Sequence, residues 1–216
     1  MCGISALVHK NHSQIETSNF TRYNDLVKHR GPDSSGIQLF NYFALGHRRL
    51  SIIDLSPGGH QPMCYQDKYW ITFNGEIYNY EEIKKELEVL GHHFESHSDT
   101  EVILHSYKQW GEDAVQKFIG MFAFVIYDDE KQELFACRDR AGVKPFFYYY
   151  HEGLFLFASE LKAIVKHPSF SKDIDLNAVG AFMQYGYVPT PHCIFKNTFK
   201  LLNVGTFDPE KIIFIL

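Results

Sequence analysis

Apolar and polar positions along the chain change period several times, and each change marks an element. "ISALV" is an unbroken apolar run from Ile4 to Val8, short enough for a buried strand. "NFTRYNDLVKHR" spaces its apolar side chains at helical intervals and is followed by Gly31-Pro32, so a helix is predicted over 19–30. "IQLFNYFALGHRRLSII" is rich in β-branched and aromatic residues and predicts two strands over 37–53, joined tightly near Asn41. "SPGGHQPM" reads as a loop, and "YWITFNGEIYN" as a strand running into a turn at Asn74-Gly75. "NYEEIKKELEVLG" and "SDTEVILHSYKQWG" are amphipathic helices, each closed by a glycine. Four strand-like runs follow, "MFAFVIYD", "ELFACRD", "VKPFFYYY" and "LFLFASE", and then two helices, "ELKAIVKH" and "DLNAVGAFMQYG". Strands come in consecutive groups with helices clustered between them. That favours an α+β fold of antiparallel sheets with packed helices over a βαβ arrangement. There is no internal repeat and no low-complexity linker.

Composition narrows the function classes. A chain of 216 residues suggests one large domain, or one domain and a short extension. At 45% hydrophobic and 16% aromatic it can bury a substantial core and does not read as disordered. A net charge of −5 without any basic run argues against a nucleic-acid or anionic-membrane partner. No stretch reaches the length of a membrane span, and the apolar start is too short for a signal peptide. The four cysteines, Cys2, Cys64, Cys137 and Cys193, are scattered without a CxxC pair. They suit neither a disulfide framework nor a zinc ribbon, and reduced thiols in a cytoplasmic protein are the expectation.

Several short stretches carry candidate chemistry. Removal of Met1 would make Cys2 the first residue. Its α-amine, with a reference pKa of roughly 7.7–8.0, and its thiol, about 8.5, would then stand on one residue as base and nucleophile. The plain alternative is a cysteine that happens to follow the initiator. In "FNGE" the Asn74 amide and the Gly75 N–H could converge on an oxyanion, or could simply form an Asn-Gly turn. "HRRLSIIDLS" offers Arg49 as a carboxylate partner, with Arg48 read as a structural ion pair. "SDTE" fits a capping box, Ser98 at N-cap and Glu101 at N3, and leaves Asp99 free to face a pocket. His93 and His97 in "GHHFESH" have helical metal spacing but no third ligand nearby, so no metal site is expected.

Taken together these stretches are similar to a known family. "MCGI", "HRGPD", "GHRRLSIIDLSPGGHQPM", "FNGEIYNY", "SDTEVI", "GMFAF", "RDRAGVKPFFY" and "FASELKAI" occur in order over about the first two hundred residues. The chain resembles the glutaminase domain of class II glutamine amidotransferases, the N-terminal-nucleophile type. Within that group it looks most like the N-terminal half of glutamine-dependent asparagine synthetase. The resemblance implies a four-layer αββα sandwich of two antiparallel sheets between helices. It implies that Cys2 attacks the side-chain amide of L-glutamine, with Asn74 and Gly75 forming the oxyanion hole. Arg49 would meet the substrate carboxylate, and a strand through Leu50, Ser51, Ile52 and Ile53 would line the pocket. Glu76 and Asp99 would hold the ammonium. Hydrolysis would need neither metal nor organic cofactor. Arg30, Asp33 and "RDRAGVKP" are read as architecture.

The resemblance also implies a partner. Relatives pass ammonia to a synthetase domain that uses ATP and Mg through an "SGGxDS" loop, and no such loop occurs here. The expected layout is a glutaminase domain over 1–200, with 201–216 starting the connection to a synthetase domain outside the chain. The closing "IIFIL" reads as a strand without an evident partner, which suggests an excised domain or a truncated frame. A homodimer is a further expected association. Alternative readings are a silent partner-binding subunit, a relative aminating a sugar or another acceptor, and a hydrolase of a different amide.

Overall fold

The computed structural model describes residues 1–202 and the backbone of 212–215. In chain order the first elements are β1 (Gly3–His9), α1 (Thr17–Asp25), β2 (Ser34–Leu39), β3 (Phe43–Arg49), β4 (Met63–Tyr65) and β5 (Tyr69–Ile77). Next come α2 (Tyr80–Val89), α3 (Asp99–Trp110), β6 (Gly120–Asp128), β7 (Glu133–Arg138), β8 (Phe147–His151) and β9 (Leu154–Ala158). The last are α4 (Leu161–Val165), α5 (Leu176–Tyr185), β10 (Thr198–Lys200) and β11 (Ile212–Ile215).

The strands form two sheets, ordered β10-β8-β9-β1-β3-β2 and β11-β7-β6-β5-β4. Every pairing is antiparallel. Three apolar clusters separate the layers. Ile4, Ala6, Val8, Phe43 and Phe157 of the first sheet meet Ala123, Val125 and Tyr127 of the second. The opposite face of the first sheet, with Leu7 and Leu156, packs on Phe20 and Tyr23 of α1 and Ile164 of α4. The opposite face of the second, with Phe73, Phe122 and Phe124, packs on α2 and α3 through Ile83, Leu87, Val102 and Leu104. Burying each such side chain contributes about 1.5–3 kcal/mol. The alternation of β1, in which Ile4 and Ala6 face one layer and Leu7 the other, explains why it reads as continuously apolar. The result is the expected α+β sandwich, helix on sheet on sheet on helix.

Several boundaries differ from the pattern reading. The helix expected over 19–30 is α1 over Thr17–Asp25, followed by a separate 3-10 turn at Lys28–Arg30. Asn74-Gly75 is not a turn. It lies inside β5, where Asn74 faces Ala123 and Gly75 faces Phe122 in a nine-residue register with β6. Leu50 to Ile53 is not a strand, because β3 stops at Arg49. The Ser51 N–H is taken instead by Asp33 Oδ2 at 2.8 Å, which turns the chain away from the sheet. The strand in "VKPFFYYY" starts only at Phe147. The backbone of 212–215 does find a partner, β7, so the strand in "IIFIL" is paired; residues 203–211 and 216 lie outside the described set.

Candidate active site

The sheet pairings decide which side chains meet. Gly3 pairs with Arg48, so Cys2 emerges beside the end of β3 and the Arg49–Leu50 backbone. The Leu50 N–H lies 3.3 Å from Cys2 Sγ, and the Leu50 carbonyl lies 3.5 Å away. Arg30 Nε donates to the Cys2 carbonyl at 2.9 Å, and its Nη1 to Glu160 at 3.1 Å. Arg30 is therefore architectural, as expected, but the architecture it supports is the cysteine backbone itself.

A cavity of about 310 Å³ opens in front of Cys2. Cys2, Arg49, Leu50, Ile52, Ile53, Asn74, Gly75, Glu76 and Asp99 all line it. Ser51 does not; its backbone faces Asp33. The Leu50, Ile52 and Ile53 contribution comes from an irregular loop, with Ile52 67% exposed, and not from a strand. Larger hollows lie under the 91–96 loop and against α1, but neither joins a cysteine to an arginine and a buried carboxylate.

Electrostatics differ sharply around this cavity. Burial pushes the Cys2 thiol above its ordinary value, while the Leu50 N–H, the chain terminus and Arg49 pull it down and Asp99 pushes it up. A thiol in that state needs a base to become a nucleophile. Burial also lifts the Asp99 carboxyl to about 6, against donations from the Ile77 and Thr100 backbone. Asn74 is 1% exposed, and among the described residues its Nδ2 has no hydrogen-bond partner. A buried donor left unpaired costs about 1–3 kcal/mol, so its retention marks a place where an acceptor arrives.

Arg49 holds its own surroundings in place. Nη1 donates to the Ser56 carbonyl at 2.9 Å and Nη2 to the Asp54 carbonyl. Gly59 permits this, since a Cβ there would sit 2.1 Å from Nη2. Arg48 makes the expected ion pair, with Asp25.

Ser98 caps α3, accepting from the Thr100 N–H at 3.2 Å. Glu101 does not close the box on Ser98. It accepts from the Glu95 and Ser96 N–H groups, both at 2.8 Å, and from Ser96 Oγ at 2.6 Å. Burial alone would raise its carboxyl, but His105, Ser96 and the two amides bring it down to about 2. His93 and His97 are exposed and outside any helix, so their spacing places them on no common face. Among the described residues no group of three His, Cys, Asp or Glu could hold a metal, and no helix is long and apolar enough to cross a membrane.

"RDRAGVKP" behaves as architecture: Arg138 donates to the Gly142, Lys144 and Leu201 carbonyls, and Asp139 accepts from the Phe122, Val143 and Lys144 N–H groups. Lys144, inside the stretch read as architecture, and Gln61, given no role in the pattern reading, both line the cavity. Lys144 is 3% exposed, burial lowers its pKa, and its Nζ lies 3.1 Å from Met1 Sδ. Gln61 is 5% exposed and hydrogen-bonded at both ends. Both stand inside quoted motifs, but only the fold shows that they reach the cavity.

The family described as a glutamine amidotransferase domain matches residues 1–211. A putative asparagine synthetase (glutamine-hydrolyzing) 2 of Methanocaldococcus jannaschii is 42% identical over 222 residues, covering 93% of this chain and 42% of the relative. Asparagine synthetase (glutamine-hydrolyzing) 3 of Bacillus subtilis is 44% identical over 201 residues, covering 91% of this chain and 33% of the relative. The chain thus spans well under half the length of these curated relatives. Among solved structures, a glutamine phosphoribosylpyrophosphate amidotransferase from B. subtilis superposes with a TM-score of 0.64. It is 22% identical and covers 76% of this chain and 43% of that one, a likeness of fold.

Proposed function

The chain belongs to the glutamine amidotransferase domain family, of the asparagine synthetase type, and on that footing we propose that the Cys2 cavity hydrolyses L-glutamine to glutamate and ammonia. The observation that carries the reading is the unpaired, buried Asn74 Nδ2 lining the same small cavity as Cys2, Arg49 and Asp99.

In this reading the substrate carboxylate meets the Arg49 guanidinium, and the α-ammonium meets Asp99 and Glu76. The backbone of Leu50, Ile52 and Ile53 lines the side chain's path. Cys2 Sγ attacks the amide carbon, and the carbonyl oxygen takes negative charge between Asn74 Nδ2 and the Gly75 N–H. The tetrahedral intermediate collapses with loss of ammonia, which takes its proton through the Cys2 α-amine, and a thioester remains. Water gives a proton to that amine, adds to the thioester and releases glutamate, restoring the thiol. The Cys2 nitrogen becomes a free amine only when Met1 is removed, so processing switches the base on. No metal or organic cofactor enters these steps.

The ammonia is proposed to serve an ATP-dependent synthetase portion of the kind the relatives' names imply, with aspartate as acceptor. Residues 1–200 would be the hydrolytic domain and 201–216 the approach to that portion. ATP and Mg belong there, since this sequence has no "SGGxDS" loop. Helix α5 supports a neighbouring domain: Leu176, Phe182, Met183 and Tyr185 are 78%, 50%, 79% and 57% exposed. A cytoplasmic setting fits four free thiols.

The test is intact mass and glutamate release on one preparation, with Cys2→Ala alongside. Met1 absent and glutamate formed only with Cys2 present supports the reading. Met1 absent without glutamate overturns it and favours a silent partner-binding subunit.

A further inference from the structure

Strand β5 outruns its outer neighbour. Residues of β4 pair only with Tyr69, Trp70 and Ile71, so beyond Ile71 that edge of β5 has no strand beside it among the described residues. Alternate residues of a strand present their N–H groups to the same edge. Phe73, Gly75 and Ile77 therefore share this one. Two of the three N–H groups are occupied by side chains. Gln61 Oε1 accepts from the Phe73 N–H at 2.6 Å, and Asp99 Oδ2 accepts from the Ile77 N–H at 3.0 Å. Gly75, between them, lines the cavity in front of Cys2.

Gln61 is also bonded at its other end. Its Nε2 donates to Thr100 Oγ1 at 3.1 Å, and Thr100 follows Asp99 in the first turn of α3. Its backbone is fixed from behind, since a Cβ on Gly36 of β2 would lie 1.8 Å from the Gln61 carbonyl oxygen. One buried side chain thus ties the strand bearing Asn74 and Gly75 to the helix turn bearing Asp99. The His47 ring nitrogen completes the grip, 3.0 Å from the Phe73 carbonyl.

We infer that Gln61 is a positioning residue for the hydrolysis proposed above, on which this inference rests. It takes the place of β4 along the outer edge of β5, satisfies the Phe73 N–H, and leaves the Gly75 N–H turned toward the carbonyl that Cys2 attacks. Through Thr100 it sets the distance between the oxyanion donors and the carboxylate at the opposite end of the substrate.

Gln61→Met keeps length and bulk while removing both hydrogen bonds. Donors aimed at an oxyanion act in the transition state, so kcat should fall by about 10–100-fold while KM moves by less than about 3-fold. Rates are taken per folded protein, measured by near-UV circular dichroism on the same preparation, which removes any loss of folded protein from the comparison. Thr100→Val cuts only the link to α3 and should raise KM, and Thr100→Ser, which keeps the hydroxyl, should restore it. Unchanged kcat in Gln61→Met overturns the inference. If that variant does not fold, identical KM values for Thr100→Val and Thr100→Ser overturn it. A processed wild-type chain that releases no glutamate defeats the hydrolytic reading first, and this role with it.

Discussion

Cys2 Sγ and the Leu50 peptide stand face to face, with the Leu50 N–H 3.3 Å and its carbonyl 3.5 Å from the sulfur. The contact joins residues 48 positions apart and exists because Gly3 pairs with Arg48. It holds the thiol at the mouth of the cavity.

Cys2→Ala should therefore abolish glutamate release, by at least ~10³-fold, because no other cysteine lines this cavity. Cys2 is only half-buried, so the melting temperature should shift little. Parallel thermal melts and glutamate assays check both halves of the expectation.

Asp99 makes stability depend on pH with a definite sign. Its carboxyl is raised from 3.8 to about 6 by burial, so the folded state binds more protons than the unfolded chain between those values. Stability from this group is full below about pH 4 and is lost as pH rises through about 6, at a cost on the order of 3 kcal/mol. Asp99→Asn should flatten that part of the stability profile and stabilise the free protein at pH 7. His47, lowered to about 3 by burial, acts in the opposite direction in both proteins and cancels in the difference. The same variant should raise KM for glutamine, and wild-type KM should rise as pH falls below about 6. Denaturant melts at several pH values and initial rates decide both.

Arg49→Lys should raise KM by about 10–100-fold, because an ammonium cannot match a carboxylate at two points. It also releases the Ser56 and Asp54 carbonyls, so amide exchange in residues 54–59 should quicken. Protected exchange together with unchanged KM would refute the assignment.

Gly75→Ala tests the strand position. A Cβ there would lie 2.4 Å from the Met121 carbonyl oxygen and 2.6 Å from Phe122 Cα. The variant should lose about 1–3 kcal/mol and its activity, because β6 must move away. An Asn-Gly turn would have tolerated alanine far better, so a normal melting curve would contradict the register.

Glu101→Gln should cost about 1–3 kcal/mol, since the carboxylate accepts three hydrogen bonds from residues 95 and 96. With the folded pKa lowered from 4.5 to about 2, this contribution is present above pH 4.5 and is lost as pH falls toward 2. Wild-type and variant should therefore converge in acid, which melts across that range would show.

What the sequence determined by itself is what local periodicity and residue chemistry encode. Continuous apolar runs were enough for β1, β6, β7 and β9, richness in β-branched and aromatic residues for β3, and amphipathic spacing for α2 and α3, because each buries one face or both whatever its partner. The motif order was enough for the family and for Cys2, Arg49, Asn74 and Asp99 as candidates. Tertiary structure decided the rest, wherever long-range hydrogen bonds outweigh a local preference. The turn tendency of Asn74-Gly75 yields to a nine-residue pairing with β6. The strand tendency of Leu50–Ile53 yields to Asp33 and to the Arg49 clasp on 54–56. The box expected between Ser98 and Glu101 yields to two amides of the preceding loop. Gln61 acquires its place from bonds to residues 12 and 39 positions away. A period of two or of 3.6 is written in neighbouring residues, whereas a side chain's polar partners are set only when the sheets close.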